Sequence, residues 1–167
     1  MEEYTRMVEL KTAILIAGAL KIGAILGGAG DKEIECIYAF GRSLGLAFQV
    51  QDDILDAYGD PRVFGKSRGG DIIANKKTVL LIKALELASG ETLKRLQDIL
   101  SQKDFDPETK VAAVMAIYGE LDIRSHAEKM ANSYIDQAFD SFEKLEISSS
   151  RKEPLHNLAS ELVGRSR

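Results

Sequence analysis

The sequence has little of what secreted, membrane-spanning and nucleic-acid-binding proteins usually need. Among its 167 residues there is one cysteine, Cys36, so no disulfide can form within the chain and no oxidising compartment is required. Its 22 Lys and Arg residues are outnumbered by 26 Asp and Glu residues, which argues against a basic face for nucleic acid. The acidic start, Met1-Glu2-Glu3, lacks the basic residues of a secretory signal. We therefore expect a cytoplasmic protein without a nucleic-acid partner.

Long hydrophobic runs and β-strand patterns are also missing. The most hydrophobic stretch, residues 13–29, is interrupted by Lys21 and is shorter than the roughly 18 uncharged residues of a membrane span. We interpret it as part of a buried helix and expect no membrane span. With three prolines and many Ala, Leu, Glu and Lys residues, the chain favours helices nearly throughout. The predicted fold class is all-α, with residues 1–167 forming a single region.

The spacing of apolar residues places the individual helices. It predicts a first helix over 3–26, ended by a glycine cluster, and a second over 31–58. Further helices are predicted over 77–89, 91–102, 107–118, 122–145 and 152–163. Residues 59–70, GDPRVFGKSRGG, contain four glycines and are predicted to form a functional loop. The serines at 148–150 are predicted to form a short flexible joint.

Three carboxylates lie close together near the end of the second predicted helix. Asp52, Asp53 and Asp56 stand where negative charge opposes the helix dipole and where like charges repel, each at a cost of about a few tenths of a kcal/mol. A hard divalent cation would compensate this cost, because Asp52 and Asp56 lie about one turn apart. Magnesium suits the site, since it takes few protein carboxylates and completes its octahedron with water and phosphates.

Basic residues and glycines follow the carboxylates. Lys66 lies in the glycine-rich loop and Lys76 lies shortly after it. A magnesium diphosphate complex would complement this order, in which an acidic segment is followed by a basic one. A solvated loop is the alternative interpretation of such lysines. On the first helix, Lys11 and Thr12 interrupt an apolar face, and taken alone they fit a snorkelling lysine beside a hydroxyl bonded to its own helix.

Three segments of the sequence resemble the trans-isoprenyl diphosphate synthases, or polyprenyl synthetases. They are FQVQDDILDAYGD, GKSRGGDI and NKKT, and the resemblance to the C-terminal half of this family extends over essentially all 167 residues. It implies the C-terminal half of the isoprenoid synthase helical bundle, the class I terpenoid synthase fold. It also implies that Asp52, Asp53 and Asp56 hold Mg²⁺ against the diphosphate of an allylic substrate, with Asp52 as a direct ligand.

The same resemblance implies roles for residues outside the carboxylate segment. Lys11 and Lys66 would bind the diphosphate and Lys76 would support it. Thr12 and Gln49 would face the allylic carbon as positive charge develops, so that Lys11, Thr12 and Gln49 form the catalytic set. The implied reaction is ionisation of the allylic diphosphate, attack by isopentenyl diphosphate and loss of a proton.

The sequence departs from the family in one respect. Family members are about twice as long and carry a second aspartate-rich motif, whereas Asp52-Asp53 is the one Asp-Asp pair here. We expect the N-terminal half to be absent, so that the chain is an inactive fragment of a full enzyme, and expect exposed apolar faces to promote a homodimer. The alternatives are a natural or engineered half-length chain, a non-catalytic helical subunit that modulates a complete synthase, and, less well matched, a terpene cyclase.

Overall fold

A computed structural model describes residues 1–60 and 68–164, and every regular element in these ranges is helical. The predicted all-α class is confirmed. The α-helices are α1 Glu2–Val8, α2 Ile14–Leu26, α3 Asp31–Tyr58, α4 Gly70–Ile73, α5 Val79–Leu87, α6 Gly90–Ser101, α7 Pro107–Glu120, α8 Ile123–Glu143 and α9 Ser149–Val163. Part of the predicted loop, residues 61–67, lies outside the described residues.

The first predicted helix is divided by a π-helix. Residues Glu9–Ala13 form this wider turn between α1 and α2, so the prediction of one uninterrupted α-helix over 3–26 is wrong. A π-turn adds a single residue to the helical repeat, and this shift is too small to disturb the apolar spacing on which the prediction rested. The segment contains Lys11 and Thr12, and π-turns are frequent at functional sites.

Capping explains where two of the later helices begin. At α7, Asp106 accepts a hydrogen bond of 2.8 Å from the backbone N–H of Thr109, as expected of an N-cap followed by proline. The predicted flexible joint at 148–150 is wrong, because Ser149 and Ser150 are already helical and Ser148 immediately precedes α9. Serine is favoured at helix starts, so a short serine run also fits the first turn of a helix.

The chain divides into two compact units, each of which has its own buried residues. One consists of Met1 and residues 52–129, and the other of residues 2–51 and the segment from Met130 onward. In the first unit, α7 contacts α4, α5 and α6. Its fully buried side chains include Tyr118, Leu96 and Ile123. Helix α7 is therefore the central support of the unit that carries the three predicted metal ligands.

In the second unit, α3 packs closely on the π-helix and on α2. A Cβ added at Gly45 would lie 2.6 Å from Cα of Ala13, and one added at Gly41 would lie 2.9 Å from Cα of Ala17. Only glycine permits such an approach at these two positions, which are one helical turn apart on α3. The same unit has an aromatic core in which the rings of Phe40 and Phe142 lie 4.8 Å apart.

The hydrophobic stretch over 13–29 is buried on one face only. Ala13 and Ala17 are completely buried, but Leu15, Ile22 and Leu26 are 75%, 61% and 83% exposed. The expectation of a buried helix is therefore wrong for most of its large side chains, because the small alanine face is the one that packs on α3. In the described part of the chain, no helix is long and apolar enough to cross a membrane.

Candidate functional site

Asp53 is a buried carboxylate at the start of another helix. Asp53 is 2% exposed, and its Oδ2 accepts a hydrogen bond of 3.0 Å from the backbone N–H of Val79, the first residue of α5. Thr78 caps the same end of α5 by accepting from the N–H of Leu81. The helix N-terminus stabilises this negative charge, so its environment is explained by contacts within the chain. The predicted metal role of Asp53 stays a prediction beside this observed contact.

Asp56, in the last turn of α3, contacts the start of α4 instead. Its Oδ2 accepts a hydrogen bond of 2.9 Å from the backbone N–H of Asp71, and its own carbonyl accepts from the N–H of Gly69 at 2.8 Å. A Cβ at Gly70 would lie 3.3 Å from Oδ1 of Asp56, so the backbone of α4 lies directly against the carboxylate. Partial burial raises the pKa of Asp56, and the Asp71 and Asp52 carboxylates raise it further against the lowering effects of the Asp71 N–H and Lys76.

Lys76 is joined to the same short helix. Its Nζ forms an ion pair of 2.8 Å with Oδ2 of Asp71, and its backbone N–H donates to the carbonyl of Asp71. Partial desolvation opposes the charged form of Lys76, but the hydrogen bond to Asp71 and the charges of Asp71, Asp53 and Asp52 outweigh it and raise its pKa. Asp56, Asp71 and Lys76 thus form one connected array, with the ammonium of Lys76 exposed at its edge.

The carboxylates of Asp52 and Asp56 fit a magnesium ion that also binds phosphate better than they fit a metal ion whose ligands all come from the protein. In residues 1–60 and 68–164, no group of three or more His, Cys, Asp or Glu side chains could hold a metal ion by itself. Magnesium, however, is usually bound by one or two carboxylates together with substrate phosphates. Asp52 is exposed and Asp56 is half-buried among like charges, a donor set that a divalent cation would stabilise.

The other unit brings together two of the three residues of the predicted catalytic set. The hydroxyl of Thr12 donates a hydrogen bond of 3.2 Å to Oε1 of Gln49. The close packing of Gly45 on Ala13 makes this contact possible, because Gln49 lies one turn after Gly45 and Thr12 lies next to Ala13. Lys11, the third residue of the catalytic set, directly precedes Thr12 in the π-helix and has an exposed side chain.

Lys66 and Asp71 are two positions at which the sequence-based prediction and the described structure do not coincide. Lys66, the predicted diphosphate ligand of the loop, lies outside the described residues. Asp71 belongs to the GKSRGGDI segment, where the sequence pattern predicts no role for it, although it links Asp56 to Lys76. The available signal was its place directly after Gly69-Gly70, where a helix begins and a backbone N–H is free to donate.

The helices of the described residues match solved all-α isoprenoid synthase folds. A crystal structure of a geranylgeranyl pyrophosphate synthase matches all of this chain with a TM-score of 0.89 at 35% identity. Another, a geranylgeranyl pyrophosphate synthase from Corynebacterium glutamicum complexed with isoprenyl diphosphate and magnesium, matches 99% of the chain with a TM-score of 0.86 at 27% identity. The fold class is thus that of the isoprenoid synthases.

Family membership follows from the sequence comparisons. The polyprenyl synthetase family model matches residues 1–118. The short chain isoprenyl diphosphate synthase of Methanothermobacter thermautotrophicus is 40% identical over 151 residues, which are 90% of this chain and 46% of that protein. The chain belongs to the polyprenyl synthetase family, that of the trans-isoprenyl diphosphate synthases, as the resemblance implied. It spans about half the length of the relatives, covering 52% of the first of the two crystal structures and 47% of the second.

Proposed function

We propose that this chain carries one half of the active site of a prenyltransferase, which condenses an allylic diphosphate with isopentenyl diphosphate in isoprenoid biosynthesis. Family membership and relatives named isoprenyl diphosphate synthases support the reaction class. The chain by itself is proposed to be inactive in prenyl transfer. Its sequence contains one Asp-Asp pair, whereas the family pattern has aspartate-rich motifs in both halves.

Some residues of the chain are proposed to bind the diphosphate, and others are proposed to stabilise the allylic carbocation that forms when the diphosphate leaves. Asp52, Asp53 and Asp56 are proposed as the carboxylates for Mg²⁺, which when bound would neutralise the charge of the leaving diphosphate. Lys76 is proposed to support the diphosphate from the edge of the array, where its side chain is exposed and kept charged by Asp71.

The remaining proposed roles belong to residues of the π-helix, of the predicted loop and of α3. Lys11 and Lys66 are proposed to bind the diphosphate directly. Thr12 and Gln49 are proposed to turn their oxygen atoms toward the allylic carbon. The hydrogen bond between them keeps these two side chains in place. No nucleophilic side chain is needed, because ionisation depends on electrostatic stabilisation of the leaving group.

The observation that carries this proposal is the array at Asp56. A half-buried carboxylate lies beside the carboxylates of Asp71 and Asp52 and has its pKa raised, while Lys76 is held at its edge. Several carboxylates beside the ammonium of Lys76 are an environment that a magnesium diphosphate complex would complement.

Binding of inorganic diphosphate tests the half-site directly. Titration calorimetry on this chain is expected to show diphosphate binding that requires Mg²⁺ and is weakened about tenfold or more by Asp52→Ala or Asp56→Ala. Asp98→Ala is the matched control, because Asp98 is an exposed carboxylate on α6. Binding that is absent from the unsubstituted chain, or equal in all the variants, would refute the assignment.

A chimera tests the reaction itself. The N-terminal half of the Methanothermobacter thermautotrophicus relative, joined to this chain, is expected to convert allylic and isopentenyl diphosphates to a longer product. Asp52→Ala in the chimera is expected to lower turnover by about a hundredfold or more. Product formation by this chain alone would show that the proposed inactivity is wrong.

The second candidate is a non-catalytic subunit that modulates a complete synthase, and the observation that favours it is the buried carboxylate of Asp53, which already accepts a hydrogen bond from the N–H of Val79. It predicts an inactive chimera and a changed product or turnover when this chain is mixed with the complete relative.

We also propose a homodimer, because Leu15, Ile22 and Leu26 expose a large apolar surface. Light scattering of the purified chain tests this state.

A further inference from the structure

Lys110 is a buried cation that none of the proposed catalytic steps uses. It lies on α7 and is 3% exposed. Its Nζ donates a hydrogen bond of 3.1 Å to the carbonyl of Ile73 and lies 4.0 Å from the centroid of the Phe105 ring. Burying an ammonium is costly unless such contacts compensate it. The side chain is therefore committed to one position, and its hydrogen bond is directed at α4.

The carbonyl of Ile73 is the last one of α4. Carbonyls in the last turn of a helix lack partners within the helix, and they need another donor when they are shielded from water. Lys110 supplies that donor from a position 37 residues away in sequence. Since α4 is four residues long, a hydrogen bond at its end holds the whole element.

The neighbouring residue, Val111, fixes the other end of the same segment. Gly69, which precedes α4, has φ = +81°, and a Cβ added there would lie 2.8 Å from Cγ2 of Val111. Two successive residues of α7 therefore contact both ends of segment 69–73. Between those two ends lies Asp71, whose backbone N–H donates to Asp56 and whose carboxylate pairs with Lys76.

We infer that Lys110 is a positioning residue for the diphosphate half-site. It anchors α4 to α7 through the carbonyl of Ile73, and thereby holds the Asp71 N–H against Asp56 and the Asp71 carboxylate against Lys76. Lys110 itself touches neither the metal nor the diphosphate. The inference rests on the proposed function, which assigns the Asp56 array to the binding of magnesium diphosphate.

The test compares Lys110→Met with Lys110→Arg and with Lys94→Met, a control at an exposed lysine on α6. Lys110→Met keeps the apolar stem and removes the donor. We expect it to weaken Mg²⁺-dependent binding of inorganic diphosphate about tenfold in titration calorimetry. It should also speed hydrogen exchange at the Asp71 amide while the amides of α7 stay protected. Lys110→Arg, which keeps a donor, should recover most of both properties, and the control should change neither.

The outcomes separate this inference from the function on which it rests. If the unsubstituted chain binds no magnesium diphosphate, the proposed function fails, yet faster exchange at Asp71 in Lys110→Met still supports positioning. If that variant binds diphosphate as tightly as the unsubstituted chain and its Asp71 exchange is unchanged, the inference is overturned. Should Lys110→Met not fold, Lys110→Gln removes the ammonium and shortens the side chain while keeping a polar group, and unchanged binding and exchange in that variant would overturn the inference instead.

Discussion

The end of α3 that carries the aspartates and the surface of α2 differ in whether the chain itself provides contacts for their side chains. Asp53 and Asp56, both unfavourably placed by sequence, each accept a hydrogen bond from a backbone N–H of another helix. On α2, by contrast, Leu15, Ile22 and Leu26 are left mostly exposed. The buried and half-buried carboxylates of α3 thus have hydrogen-bond partners within the chain, whereas the described residues leave this apolar face of α2 uncovered.

The difference has a physical origin. A buried carboxylate without partners would cost several kcal/mol, so a stable unit must supply its partners within the same fold. An exposed leucine forgoes only its transfer free energy, about 2 kcal/mol, and leaves the rest of the unit intact. Substitutions of Asp53 and Asp56 should therefore lower the stability of this chain more than substitutions on the exposed face of α2 do.

Removing the Asp53 carboxylate is expected to have the largest effect. Asp53→Ala leaves the N–H of Val79 buried without its acceptor and removes negative charge from a helix N-terminus, so unfolding should become easier by about 2–3 kcal/mol. Asp53→Asn keeps an acceptor oxygen and should cost about 1 kcal/mol. Urea denaturation measures both against Asp98→Ala. Equal stability of Asp53→Ala and the control would contradict the capping role.

The close contact of α3 with the π-helix should be the next most sensitive feature. Gly45→Ala places a Cβ 2.6 Å from Cα of Ala13, so the two helices must separate, at a cost of about 1–2 kcal/mol. Gly18→Ala on α2 meets nothing within 4 Å and should instead stabilise the chain by about 0.5–1 kcal/mol. The two glycine variants are compared by thermal unfolding. A shift of the same sign in both would show that close packing is not what requires Gly45.

Loss of the hydrogen bond between Thr12 and Gln49 should have a smaller effect. Thr12→Val preserves the shape of the side chain and removes the donor, which should lower the free energy of unfolding by about 1 kcal/mol. Thr12→Ser retains the hydroxyl and serves as the control. A double-mutant cycle with Gln49→Leu isolates the pair, and a coupling energy near zero would show that the hydrogen bond contributes nothing to stability.

The smallest change in stability is expected on the exposed face of α2. Leu15→Lys combined with Leu26→Lys should alter the free energy of unfolding by no more than about 0.5 kcal/mol. The same variant should remain monomeric at concentrations where the unsubstituted chain associates, as measured by light scattering. A large loss of stability in the monomer would instead show that this face packs within the chain and would remove the contrast with α3.

The helices and the acidic segment could be predicted from the sequence because both depend on neighbours in the chain. The apolar spacing over 107–118 and the Asp106-Pro107 pair locate α7 closely, since capping acts within one turn. The sequence-based prediction failed at the π-helix, where one additional residue in a turn leaves the apolar pattern almost unchanged. It also treated the hydrophobic stretch over 13–29 as buried, because composition does not show which face of a helix meets a neighbour.

The sequence by itself determined that this chain is helical, that Asp52, Asp53 and Asp56 lie together at the end of a long helix, and that its motifs resemble polyprenyl synthetases. Only the tertiary structure decided that Asp53 caps a helix 26 residues away and that Lys110 supports a carbonyl 37 residues away. Periodicity and capping by the residue directly before a helix are local. The partner of a buried charge is set instead by how distant segments pack, and the linear sequence does not show which distant segments meet.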